Sequence, residues 1–227
     1  MPINVYILLD RSGSMANRWI EALSTINAYV KGLADAKHDG AVTVAAFDGF
    51  MAGQPAMNVA GWLPTAQPGH RLQFDTLRLA TRPQDWKPLS SEDAAPRGDT
   101  PLYDAIGRLC TLAAADVNPK GVILLMTDGE ENASREVTRE GAMGMLDRNR
   151  NRGWDVVHLG IDFREVAAQA ASLGTGLGKM ANVSAQSMRD GTAAEFLTRN
   201  TVTYDSFGAG ASVVSDADRA KLEKGAQ

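Results

Sequence analysis

The chain has 227 residues, 44% apolar and 22% charged, with 23 Lys and Arg against 27 Asp and Glu for a formal charge of −4. That length buries a core without disulfide or metal staples, and the single cysteine, Cys110, excludes both an internal disulfide and a multi-cysteine zinc site. Mild acidity and 6% aromatic content argue against a general nucleic-acid binder, which needs basic surface for phosphate and rings for bases.

Residues 3–9 form a continuous apolar run and read as a strand buried on both faces. The run meets Asp10-Arg11 at once and lacks a basic leader and a small-residue cleavage site, so it is not read as a secretory signal. No apolar run approaches the ~18–20 residues of a membrane span, and a soluble, cytoplasmic protein is expected. Trp19, Leu23, Ile26, Val30 and Leu33 recur at helical spacing, and residues 42–47 read as a second strand. Residues 48–99 are rich in Gly, Pro, Ala and Gln, with amphipathic pieces at 57–63 and 71–79; an edge strand or hairpin plus a long surface loop is expected. Leu102, Ile106, Leu109 and Ala113 mark a second helix that puts Cys110 on its apolar face as an inert core thiol.

Residues 122–126 and 156–160 read as further buried strands, the latter with His158 in the core. The arginines of residues 148–152 close a helix, where cations suit the dipole, and read as a solvated face. Phe163, Val166, Ala170 and Leu173 continue the helical spacing, and a weaker strand at 180–184 precedes a helix over 187–199. Strands alternating with helices predict a doubly wound α/β fold, with a mostly parallel sheet and helices on both faces. Residues 1–200 are expected to form one domain and residues 201–227 a tail or appendage. A carboxylate of that tail, among Asp205, Asp216, Asp218 and Glu223, is considered as an internal occupant of a ligand site.

In such a sheet, ligands bind beyond the carboxyl ends of the strands. After the first strand come Asp10, Ser12 and Ser14, which alternate and so point their oxygens to one side. Thr100 precedes the second helix, and Asp128 follows the strand at 122–126. Two carboxylates and three hydroxyls, with no nitrogen or sulfur, suit a hard cation such as Mg²⁺ or Mn²⁺ and not zinc or copper. Each residue also has a plainer role: Ser12 or Ser14 as a helix cap, Thr100-Pro101 as an N-cap and first helical position, Asp128-Gly129 as a turn. Glu130 and Glu131 read as exposed residues or outer acceptors near the next helix, which Ser134 would cap. Asp162 reads as the start of a capping box with Glu165.

Asp10-x-Ser12-x-Ser14, Thr100 within Gly98-Asp99-Thr100-Pro101-Leu102, and Asp128 within Thr127-Asp128-Gly129 resemble the von Willebrand factor type A (vWA) domain family. In that family these positions form the metal-ion-dependent adhesion site (MIDAS). The motif is complete and in order, and the resemblance covers roughly residues 1–200. It implies that Ser12, Ser14 and Thr100 touch the metal directly, that Asp10 and Asp128 bind it directly or through water, and that a partner's Asp or Glu completes its coordination. The expected function is a non-enzymatic, metal-dependent protein-binding module of an intracellular bacterial or phage type. Its partner is an unidentified protein such as an AAA-type ATPase or a stress or defence component, not a nucleic acid or a membrane. Two alternatives stay open. Magnesium phosphotransferases on similar sheets also carry Asp after the first strand, but with a second Asp where this chain has Ser12; a hydrolase or phosphotransferase is therefore the first, and a nucleic-acid-associated role the second.

Overall fold

A strand apolar on both faces needs cover on both sides, and β1 (Asn4–Asp10) has it: Val5, Ile7 and Leu9 enter one hydrophobic cluster, Tyr6 and Leu8 another. The structure, a computed structural model, describes residues 3–50, 71–129, 131–161, 180–208 and 214–224. Its other strands are β2 (Val42–Phe50), β3 (Arg71–Thr81), β4 (Gly121–Thr127), β5 (Asp155–Ile161) and β6 (Met180–Val183). The helices are α1 (Trp19–Asp35), α2 (Leu102–Ala114), α3 (Arg139–Asn151), α4 (Ala185–Arg189), α5 (Thr192–Phe207) and α6 (Asp216–Leu222). The sheet runs β3-β2-β1-β4-β5-β6, parallel throughout except for β3, which lies antiparallel on β2. Side chains from α1, α4, α5 and α6 fill one face, and those from α2 and α3 fill the other. The doubly wound α/β expectation is met.

Strand order reverses between β1 and β4, and this switch point opens a crevice beyond their carboxyl ends. The register pairs Leu9 with Met126, so Asp10 and Thr127 end their strands side by side. On its other edge β1 pairs Asp10 with Phe47, which brings Arg11 next to Asp48.

Several boundaries differ from the sequence expectations. The piece at 71–79 is the edge strand β3. The helix expected over 187–199 is two helices, broken at Gly191, whose φ of +86° is a left-handed value that favours glycine. The expected division at residue 200 falls inside α5, where Thr201 and Tyr204 are buried; Leu222 of α6 is buried too, and its carbonyl accepts the Ser184 N–H at 2.9 Å. Arg152 is less solvated than expected: its guanidinium stacks 3.9 Å from the Trp154 ring centre, and its Nη2 donates to Ala113 O. Cys110 is buried as expected, and burial pushes its thiol up to about 11. The pieces at 57–63 and 163–173, Glu130 and Asp162 lie outside the described residues. Among the described residues no helix is long and apolar enough to cross a membrane.

His158, on β5, has no exposed surface, and burial pushes its ring from 6.5 down to about 3. Between those values the unfolded chain binds the extra proton, so stability is full above pH 6.5 and is lost as pH falls through that window. His158→Leu should flatten the decline by up to about 1.4 kcal/mol per pH unit. Urea unfolding at pH 7, 6 and 5 measures it, and equal slopes in both proteins would refute the assignment.

Candidate metal centre

The loop after β1 turns on Asp10. Its Oδ1 accepts the Ser12 N–H at 2.7 Å, and its Oδ2 accepts the Thr127 hydroxyl at 2.5 Å. The Ser12 and Ser14 hydroxyls lie 3.0 Å apart, and Ser14 Oγ donates to Asp128 Oδ1 at 2.8 Å. Four of the five sequence-predicted residues thus join one hydrogen-bonded chain.

Thr100 arrives from a different segment and is held on both sides. Asp99 and Gly49 exchange backbone hydrogen bonds of 2.8 and 3.0 Å. On the other side, Thr100 N–H donates to Asn132 Oδ1 at 2.8 Å, and Asn132 N–H donates to Thr100 O at 3.2 Å. Gly98 makes the close approach feasible: its φ is +67°, and a Cβ there would lie 2.1 Å from Gly49 O. A Cβ built on Gly129 would lie 3.3 Å from Thr100 Oγ1 and 3.7 Å from both Asp10 Oδ2 and Ser14 Oγ. Three oxygens, two from the loop after β1 and one from the segment before α2, therefore lie around one point beside Gly129.

The capping roles of Ser12 and Thr100 do not hold, while Asp128 and Gly129 do lie in a bend after β4. Ser12 precedes a 3-10 helix at Gly13–Asn17 but makes no side-chain cap. Thr100 is not the N-cap of α2; that position is Pro101, and it has no side-chain cap either. Capping of α2 comes instead from the loop after β4: Glu131 Oε2 and Ser134 Oγ both accept the Tyr103 N–H at 3.0 Å. Asp104 answers by accepting N–H groups from Arg135, Glu136 and Val137 at 2.7–3.0 Å. Ser134 was expected to cap the following helix; Thr138 does so, accepting the Gly141 N–H.

Thr127 is named from the sequence only within the motif, and Asn132 is given no role at the site; the structure sets Thr127 on Asp10 and Asn132 on the Thr100 backbone. Asp99 is buried, and its backbone supplies the pairing with Gly49. Of the tail carboxylates, Asp218 forms a capping box with Ser215 and an ion pair with Arg199, Asp216 pairs with Arg219, and Asp205 lies 3.7 Å from His38. These contacts occupy three of the four carboxylates considered as internal ligands.

Asp10 has no exposed surface. Burial, then the neighbouring Asp128 charge, pushes its carboxyl from 3.8 up to about 7, against the hydrogen bonds from Thr127 and Ser12. A cation between the two carboxylates would remove that penalty. Among the described residues no three His, Cys, Asp or Glu side chains gather as a metal cluster. The donor set here is two carboxylates with hydroxyls, which fits a hard divalent ion.

No family model matches the chain, and no curated protein does. Solved structures do. The pilus adhesin SpaC from Lactobacillus rhamnosus GG matches with a TM-score of 0.59 at 14% identity over 90% of this chain and 31% of that one. The vWF domain of the type V pili tip protein Mfa5 from Porphyromonas gingivalis matches with a TM-score of 0.59 at 11% identity over 88% and 95%. Proximal thread matrix protein 1 from the mussel byssus, with a zinc-occupied MIDAS motif, matches with a TM-score of 0.55 at 16% identity over 89% and 48%. The chain spans about a third of the adhesin and about half of the byssus protein. These likenesses show a vWA-type fold.

Two measurements probe the centre. A metal held at Asp10 would have to displace its proton, so apparent affinity should fall as pH drops below about 7, by up to about tenfold per unit; metal titrations at pH 8, 7 and 6 read this. Gly129→Ala puts a methyl among the three oxygens. It should weaken metal binding about tenfold or more while leaving the melting temperature in chelator nearly unchanged, and calorimetry checks both.

Proposed function

We propose that this chain is a divalent-metal-dependent protein-binding module that grips an acidic side chain of its partner through Mg²⁺ or Mn²⁺. The observation that carries the reading is the ring of Thr100, Asp10 and Ser14 oxygens around one point, with the Ser12 and Thr100 hydroxyls spent on no helix cap. Ser12, Ser14 and Thr100 would hold the ion directly, with Asp10 and Asp128 holding it directly or through water. When bound, the ion supplies a positive, electrophilic centre that two carboxylates neutralise and three neutral hydroxyls leave able to accept an outside carboxylate. This chain's own residues do the rest. Thr127 and the Ser12 N–H orient Asp10, while Asn132 fixes the Thr100 backbone.

The zinc-occupied MIDAS of the byssus protein supports a divalent ion in this fold, and the adhesin SpaC and pilus-tip protein Mfa5 support a binding role. Hardness of the donor set favours Mg²⁺ or Mn²⁺ here. Ser12 stands where a phosphotransferase of this sheet type carries its second Asp, which supports a binding role over phosphoryl transfer. A cytoplasmic setting, read from the sequence, and a partner of the AAA-ATPase, stress or defence kind, taken from the family resemblance, belong to the same proposal.

A ligand that binds only the folded state raises its melting temperature. At a hundredfold excess over Kd the gain is about 2.7 kcal/mol, or roughly 5–10 °C for a chain of this size. Melting should rise in Mg²⁺ or Mn²⁺ and fall back in chelator, and Asp10→Ala should abolish the response. The full chain should also retain a partner from its host's lysate in Mg²⁺ and release it in chelator. Equal metal responses in wild type and Asp10→Ala would exclude the site, and hydrolytic turnover lost in Asp10→Ala would exclude the non-enzymatic role.

A further inference from the structure

Behind the metal residues lies a second charged cluster that the donor set does not use. Arg11 sits between Asp10 and Ser12 in the chain, yet its side chain is only 4% exposed. Its Nε–H donates to Asp48 Oδ2 at 2.5 Å, and its Nη2 lies 2.6 Å from Asp75 Oδ2 on β3. Arg97, three residues before Thr100, donates its Nε–H to the same Asp48 oxygen at 2.8 Å. One fully buried carboxylate therefore ties the loop carrying Ser12 and Ser14 to the loop carrying Thr100. The backbone follows the same route: Arg11 N–H donates to Phe47 O at 3.0 Å, Arg97 N–H to Arg11 O at 2.8 Å, and Gly13 N–H to Gly98 O at 3.0 Å.

Stability alone does not explain this cluster. Desolvation of a buried ion pair offsets most of its Coulomb gain, and apolar replacements are often at least as stable. Here the exchange is poorer still, because among the described residues Asp48 Oδ1 is buried and accepts no hydrogen bond. Placement explains it better. Two loops far apart in sequence must present hydroxyls to one ion, and a shared carboxylate sets their separation. It also offsets the positive charge that two guanidiniums would otherwise set beside a cation.

We propose that Asp48 is a positioning residue for the metal site, acting through Arg11 and Arg97 to hold Ser12 and Ser14 against Thr100. This rests on the metal-binding reading above. Asp48 touches no ion itself, and neighbours of that kind are worth about 10–100-fold in metal affinity. The test is a Mn²⁺ titration of the full chain, read by the electron paramagnetic resonance of the free ion. The proteins are wild type, Asp48→Asn, Thr100→Ala and the double variant, each checked for folding in chelator. Asp48→Asn should bind Mn²⁺ about 10–100-fold more weakly while still folded. The double variant should bind only a few-fold more weakly than the worse single one, because Thr100 is already misplaced when Asp48 is neutral. Unchanged affinity in Asp48→Asn, or losses that multiply in full, overturns the proposal. Should Asp48→Asn fail to fold, Arg97→Lys keeps the charge without the Nε–H donor; about tenfold weaker binding is then expected, and unchanged binding is decisive against. Failure of wild type to bind Mn²⁺ overturns the metal reading itself, and shows before any variant is compared.

Discussion

A carboxylate with no exposed surface sits at the end of the central strand, and much of the molecule is arranged around it. Burying Asp10 costs free energy, and the charge of Asp128 nearby adds to that cost. The Thr127 hydroxyl and the Ser12 N–H work directly against it. Such a group is tolerated where the sheet already opens a crevice, between β1 and β4, and where a cation would turn the penalty into binding energy. Fold and candidate site thus share one constraint. The strand order creates the crevice, and the residue ending β1 gives it a charge.

The surrounding loops reduce freedom at that point. Thr100 is gripped between Gly49–Asp99 pairing on one side and Asn132 on the other. The loop after β4 and the start of α2 lock reciprocally, through Glu131 and Ser134 in one direction and Asp104 in the other. These contacts satisfy backbone N–H groups that a helix start would otherwise leave unpaired. They also free the hydroxyls of the motif from capping, which is the local role their sequence positions suggest. A hydroxyl that caps a helix is committed to an N–H; one relieved of that duty can face a cation.

Much of the architecture was legible in the chain. Short, largely apolar runs at β1, β4 and β5 marked strands covered on both faces, and helical spacing between them marked the crossovers. The split between α4 and α5 was less visible, because the apolar spacing carries on past Asp190 and Gly191, and only the positive φ of Gly191 breaks the helix. The end of the chain misled for a related reason. Residues beyond 200 show little repeating apolar pattern, yet single residues such as Tyr204 and Leu222 are buried, and isolated anchors leave no periodic signal.

By itself, the sequence determined the chemical character of the site: oxygen donors only, two of them carboxylates, placed after strands and before a helix. Spacing and residue type carry that information because each motif is local. The tertiary structure decided which of those oxygens face one another and what holds them. The Asp10–Thr127 bond joins residues 117 apart, and Asp48 reaches Arg11 and Arg97 across 37 and 49 positions. The roles of Arg11, Asp48, Thr127 and Asn132 come from strand register and loop pairing. A local pattern cannot encode them, because each depends on which strand the sheet sets beside which.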